Sequence, residues 1–252
     1  MSRPIDLVES SRLLVSDIDG TLLDSGRPTA GLETLRTLVE AKRPRVRLVY
    51  ATGRTFGSMR SLLDRGVLPR PDAVASSVGT ELWLKPFEAA DPGYHGHVAE
   101  GFNRERVMAA AVSFPRIRPQ PDEYQSPVKA SFYLEDPEVL EGFEELLERA
   151  KAGARVVYSC NRYLDVLPRK AGKRNAIEYL RRLIGIRRSR VMVAGDSGND
   201  LDMLSDPDFR AVAVGNAEAE LDSFGSGSAD HRSVLPHAAG VLEGAEVFGF
   251  WS

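Results

Sequence analysis

The sequence contains a single cysteine, Cys160, in 252 residues. That excludes an intrachain disulfide and any cysteine-rich metal site. There are only four histidines. The one close pair, His95-Gly96-His97, sits in a Gly/Pro-rich stretch with no third ligand nearby, and it reads as exposed loop. Net charge is −3, so no overall basic field gathers nucleic acid or an anionic membrane. No apolar run approaches the length of a membrane span. The start, Met1-Ser2-Arg3-Pro4-Ile5-Asp6, lacks the continuous apolar segment of a signal peptide. There is no internal repeat and no low-complexity tract. These absences predict a soluble, cytoplasmic protein that binds neither nucleic acid nor membrane.

The composition that remains is ordinary for a globular protein, 42% hydrophobic and 27% charged. It is enough to bury a core in one large domain or two moderate ones. Strand and helix patterns alternate at first: strand at 13–16, helix at 32–41, strand at 46–51, helix around 59–64, strand at 72–76. The rhythm returns with helix at 174–184, strand at 190–194, a helical turn at 201–204 and strand at 210–214, then helices at 217–222 and 241–247. Such βαβ alternation predicts a parallel sheet covered on both faces. The middle differs. Residues 85–103 read as linker or loop, 104–112 as helix, and the Pro-studded 115–121 as irregular. Strands at 129–135, 155–159 and 163–167 and a helix at 137–152 follow, an α+β layer of their own. The expected fold is an α/β, doubly wound, Rossmann-like core (1–84 and 168–252) with an inserted α+β cap (85–167).

Two acidic clusters carry the chemistry. Asp17-Ile18-Asp19-Gly20-Thr21 follows the apolar Leu13-Leu14-Val15, and Gly195-Asp196-Ser197-Gly198-Asn199-Asp200 follows Val191-Met192-Val193-Ala194. Each reads as a buried strand ending in carboxylates, at the sheet edge where open α/β folds bind ligands. Four gathered carboxylates repel one another unless a cation sits among them, and oxygen-only ligation suits Mg²⁺. Asp17 and Asp19 can divide a phosphoryl transfer, one attacking phosphorus and the other handling protons. Asp196 is the natural third ligand. Asp200 either reaches the metal or caps the helix that opens there.

Thr52-Gly53-Arg54 ends another strand and offers a hydroxyl and backbone N–H groups to a phosphoryl oxygen, although a plain turn has the same composition. Lys173 opens a helix, where a cation is electrostatically misplaced, so it implies a paired anion. Arg169, Lys170 and Arg174 leave a solvated basic turn as the alternative. Gly225-Ser226-Gly227-Ser228 follows no strand and reads as a linker turn. Cys160 has no histidine near it in sequence and reads as a packed cap residue or a pocket liner. The apolar cluster Phe248, Phe250 and Trp251 predicts core packing or a dimer contact.

The order of these motifs resembles the haloacid dehalogenase (HAD) superfamily of phosphohydrolases, with the insertion between the second motif and the lysine. Tyr50-Ala51-Thr52-Gly53-Arg54, Ser77-Val78-Gly79-Thr80-Glu81, Gln125-Ser126-Pro127-Val128-Lys129, Asp165-Val166-Leu167-Pro168, Lys173-Arg174-Asn175-Ala176 and His237-Ala238-Ala239-Gly240 narrow it to the sucrose-phosphate phosphatase family. The resemblance implies Asp17 as nucleophile and Asp19 as acid/base. It implies a Mg²⁺ site of Asp17, Asp19 through its backbone carbonyl, Asp196 and Asp200. Thr52, Gly53, Lys173 and Asn199 would hold the phosphoryl group, and Arg54, Lys129 and Asn161 would meet the sugar. Gly20 and Arg174 depart from the family's usual residues and leave the particular sugar open. The expected substrate is a disaccharide phosphate such as sucrose 6-phosphate. The alternatives are glucosylglycerol phosphate, mannosylfructose phosphate or mannosyl-3-phosphoglycerate, a sugar phosphomutase reaction, or a non-catalytic sugar-phosphate binder. A sugar-phosphate synthase is the candidate partner, and a monomer or weak dimer the expected state.

Overall fold

A computed structural model describes residues 11–221 and 230–252. The chain runs β1 (Arg12–Ser16), a short hairpin of β2 (Leu23–Asp24) and β3 (Arg27–Pro28), α1 (Leu32–Lys42), β4 (Val46–Ala51), α2 (Phe56–Asp64), β5 (Ala73–Ser76) and β6 (Glu81–Leu84). It continues with α3 (Pro92–Ala99), α4 (Arg104–Val112), β7 (Arg118–Pro119), β8 (Ala130–Tyr133), α5 (Leu140–Arg149), β9 (Ala154–Ser159) and β10 (Tyr163–Pro168). Last come α6 (Lys173–Leu183), β11 (Val191–Gly195), α7 (Leu201–Leu204), β12 (Arg210–Ala213), β13 (Asp230–Arg232) and α8 (His237–Val247).

Seven strands form the larger sheet in the order β13-β12-β11-β1-β4-β5-β6, parallel except for β6. The strand order reverses at β1, between β11 and β4, so the edge beyond β1 is the switch point of a doubly wound sheet. Its inner strands β1, β4, β5, β11 and β12 are largely apolar because helices cover both faces. Leu13 and Val15 face one apolar cluster with α6 and α7; Leu14 faces the other with α1, α2 and α8. Phe250 is buried in that second cluster, with Phe248 and Trp251 packed against it, which is the core-packing outcome.

The smaller sheet has the order β7-β8-β10-β9 and is antiparallel. Its alternate residues Ala130, Phe132, Leu164 and Val166 bury against α4 and α5 through Val107, Phe143 and Leu147. The opposite face carries Ser131 and Tyr133 on β8, paired with Asp165 and Tyr163 on β10.

Several elements differ from the sequence reading. Residues 92–99 form helix α3 rather than loop. Asp91 caps it by accepting the Tyr94 N–H at 2.7 Å, and Pro92 takes the position where no N–H is needed. Tyr94 and Val98 of α3 pack in the cluster of the larger sheet. The Pro-rich 115–121 still yields a two-residue strand, β7, at a sheet edge, where proline is tolerated. Only a 3₁₀ turn, Ala219–Leu221, occupies the expected helix at 217–222; Asp222, the Gly225–Ser228 turn and the N-terminal hexapeptide lie outside the described residues. No helix among the described residues is long and apolar enough to cross a membrane.

Candidate active site

Strand β1 delivers Asp17 to the switch point, and its ladder does not stop at the strand end. The Asp17 N–H donates to the Ala194 carbonyl at 2.9 Å, which holds the residue beside the segment that follows β11. Gly20 then turns the chain with φ +81°, and a Cβ there would overlap the Asp196 carboxylate. Glycine is required twice over, by backbone conformation and by that close approach. Thr21 Oγ1 donates to Asp196 Oδ1 at 2.7 Å. The two acidic motifs are thereby fastened together.

Asp17, Asp196 and Asp200 are all buried, and each offers a carboxylate oxygen within 4.8 Å of the others. Lys173 reaches them from the first position of α6. Its Nζ donates to Asp17 Oδ1 at 2.8 Å and to Asp200 Oδ1 at 2.7 Å, with the side chain wholly inaccessible. Arg169, Lys170 and Arg174 instead pair with Glu148, Glu100 and Asp206, so only Lys173 of that basic cluster turns inward. Asp200 Oδ2 accepts the Asp196 and Ser197 N–H groups at 3.1 and 3.2 Å in a capping box. Asp200 therefore both caps its turn and belongs to the acidic set.

Burial pushes the Asp17 carboxyl well up, and repulsion from Asp200 and Asp196 adds to it against the pull of Lys173. Burial, then the Asp200 charge, raises Asp196 to about 7. Burial opposes the charge on Lys173, yet Asp17 and Asp200 outweigh it and hold the ammonium above its ordinary value. Three buried carboxylates facing one lysine leave a deficit of positive charge in an all-oxygen set. That donor set fits a hard divalent cation.

Asp19 is placed differently. Its side chain is 48% exposed and lies against Arg54, outside the acidic triad. Arg54 Nε and Nη2 donate to its two oxygens at 2.6 Å each, and Nη1 donates to Ser58 Oγ at 2.9 Å. Thr52, fully buried, accepts the Arg54 N–H at 3.1 Å. Asn199 faces Gly53, and its buried Oδ1 has no hydrogen-bond partner. That oxygen can only accept, so a ligand hydroxyl or a cation would satisfy it, whereas the Nδ2 that faces Gly53 is the atom able to donate to a phosphoryl oxygen.

A cavity of about 680 Å³ lies between the sheet edge and the polar face of the smaller sheet. Asp17, Asp19, Gly53, Arg54, Asp196 and Asn199 form its floor; Lys129, Tyr133, Tyr163 and Asp165 are among its opposite walls. Lys129 is buried, with Nζ 3.6 Å from Asp165 Oδ1. Asn161 is outside this lining, and its N–H points to Glu220 at 3.4 Å. Its neighbour Cys160 does line the cavity, and burial followed by the Glu218 carboxylate raises its thiol to about 12. Tyr133, Tyr163 and Asp165 went unassigned from sequence, although period-2 alternation on 129–135 and 163–167 places them on one face.

A doubly wound sheet with paired aspartates after its switch-point strand, and an inserted sheet across the cavity, is the fold of the HAD superfamily, shared by a solved sugar phosphatase of that superfamily with TM-score 0.70 at 20% identity. The chain belongs to the sucrose-6F-phosphate phosphohydrolase family, whose model matches residues 10–249. The sucrose-phosphatase of Synechocystis sp. PCC6803, solved with sucrose and phosphate, superposes with TM-score 0.88 at 31% identity, covering 96% of this chain and 99% of that one. The mannosylfructose-phosphate phosphatase of Agrobacterium fabrum is 33% identical over 94% of this chain and 97% of its own length. A probable sucrose-phosphatase of Arabidopsis thaliana is 34% identical over 94% of this chain, which spans only 59% of that longer protein.

Proposed function

We propose that the protein is a Mg²⁺-dependent phosphatase of a glycosyl phosphate, with a disaccharide phosphate such as sucrose 6-phosphate as the first candidate. One observation carries the reading. Asp17 and Asp19 leave the end of a single buried strand and open onto the same cavity, whose far wall is a polar, tyrosine-bearing face. A phosphoryl group on the floor would put the rest of its ester against that wall. The sheet of β7–β10 with α4 and α5 is the proposed cap, and α3, from the same inserted block, packs on the catalytic side.

An oxygen of Asp17 attacks phosphorus, forming an acyl phosphate as the ester P–O bond breaks. Asp19, once free of Arg54 and protonated from water, gives the departing sugar oxygen that proton. It then takes one from the water that attacks the same phosphorus, which breaks the acyl-phosphate P–O bond and regenerates Asp17. Lys173 keeps Asp17 in place, and Thr52, Gly53 and Asn199 hold the phosphoryl oxygens. Arg54 grips Asp19 here, so a phosphoryl group that competes for the guanidinium would release Asp19 toward the leaving oxygen. Mg²⁺ would be held by Asp17, Asp196, Asp200 and the Asp19 carbonyl, and it supplies charge neutralisation for the phosphoryl oxygens.

The test is phosphate release from a panel of glycosyl phosphates with Mg²⁺. A member of the sucrose 6-phosphate class is expected to turn over, and Asp17→Asn to lower the rate at least ~10³-fold. Residual activity within about tenfold of wild type would contradict covalent catalysis. Formation of an isomeric sugar phosphate would indicate a mutase, and binding without turnover a binding domain. Mannosylfructose phosphate is the second candidate, favoured by the near full-length match to the Agrobacterium enzyme.

A further inference from the structure

Three segments far apart in sequence meet at one carbonyl oxygen beside Asp19. The Gly20 carbonyl accepts a hydrogen bond from His237 Nδ1 at 2.7 Å and another from Asn216 Nδ2 at 2.8 Å. Asn216 Oδ1 accepts the His237 backbone N–H at 2.8 Å, which closes a three-membered ring. A carbonyl can only accept, so the imidazole donates through Nδ1–H.

His237 is held at φ +53° at the start of α8. A non-glycine residue keeps such a conformation only where its surroundings over-determine it. Across the turn, Gly20 abuts the Asp196 carboxylate, and Thr21 is bonded to the same group. The residues that follow Asp19 are thus wedged between the acidic cluster and the His237–Asn216 pair. Neither His237 nor Asn216 lines the cavity. They can influence chemistry only through the turn.

We infer that His237 and Asn216 are positioning residues that set the aim of Asp19 at the leaving oxygen, a role that rests on the phosphatase reading above. The gripped carbonyl belongs to the Gly20–Thr21 peptide, and the Gly20 N–H on the Asp19 side donates to the Leu23 carbonyl at 2.8 Å. A shift of that carbonyl reaches Asp19 through the Gly20 Cα, and proton delivery depends steeply on alignment.

The decisive variant is His237→Gly. Glycine takes φ +53° without strain but gives up the ring's hydrogen bond to the Gly20 carbonyl, so a merely structural role predicts a lower melting temperature with unchanged rates. The inference predicts instead that kcat on an alkyl sugar phosphate falls about tenfold or more, with KM within about twofold. On p-nitrophenyl phosphate, whose leaving group needs little protonation, kcat should fall less than about threefold. Asn216→Asp keeps the acceptor for the His237 N–H but turns an oxygen toward the Gly20 carbonyl, and the same split is expected. Parallel losses on both esters, or no loss in His237→Gly, would overturn the inference. Wild-type activity on simple alkyl and aryl esters but on no glycosyl phosphate would sink the substrate reading alone. Wild-type inactivity on every ester would overturn both.

Discussion

Arg54 and Asp19 are joined fork to fork, Nε to Oδ2 and Nη2 to Oδ1, both at 2.6 Å. The pair is partly exposed, at 27% and 48% of the two side chains, so it contributes little to stability. Its geometry fits a resting position for Asp19 and a preformed grip for an anion. Arg54→Lys keeps the charge but loses the fork. It is expected to raise KM for a sugar phosphate about tenfold while shifting stability by less than ~1 kcal/mol. Steady-state kinetics beside a thermal melt checks this, and an unchanged KM would show that Arg54 does not meet substrate.

The acidic cluster should make cation binding depend on pH. Asp17 is raised well above the ordinary carboxylate range, by burial first, and Asp196 is raised to about 7. Without a cation, the folded state binds more protons than the unfolded one between the ordinary carboxylate range and about 7. Its stability should therefore fall as pH rises through that window. Mg²⁺ favours the ionised forms, so it must displace those protons and should bind more tightly as pH rises toward about 7. Calorimetric titration in two buffers of different ionisation enthalpy measures the protons released. Zero release at pH 6 would contradict the coupling.

How much of this could be read from the sequence depended on how local each signal was. The clusters after β1 and β11 stood out because apolar runs led straight into carboxylates and glycines, and burial at both strands followed. Helix α3 was obscured by Pro92, Gly93 and Gly96, although Asp91 before Pro92 was a helix-start signal. Its misreading hid a support of the site, since the Tyr94 hydroxyl donates to the Gly79 carbonyl at 2.6 Å and the Gly172 N–H meets that same carbonyl just before Lys173. The inward turn of Lys173 was legible only as an electrostatic misfit at a helix start. The grip of Asn216 and His237 on Gly20 spans 196 and 217 residues. No local pattern encodes such a contact, which exists only once β12 has joined the sheet beyond β11 and α8 has packed against β12 and β2.

Lys129 tests whether the polar face of the smaller sheet reads the sugar. Its side chain is 4% exposed, with Nζ 3.6 Å from Asp165 Oδ1, and Asp165 also accepts from Ser131 Oγ at 2.5 Å. Lys129→Met keeps the apolar stem and removes only the ammonium. Because Ser131 still satisfies Asp165, destabilisation should stay near ~1–3 kcal/mol, below the full cost of stranding a buried charge. KM for a disaccharide phosphate should rise at least about tenfold, since a lost charged donor to a sugar hydroxyl costs roughly that much. The aryl ester has no sugar to present to Lys129, so its KM should move less than about twofold. The proposed chemistry lies on the floor of the cavity, away from Lys129, so kcat for both esters should hold. If both KM values rose together, Lys129 would be acting on the phosphoryl group or on closure of the cap, and the sugar contacts would have to come from Tyr133, Tyr163 and Asp165.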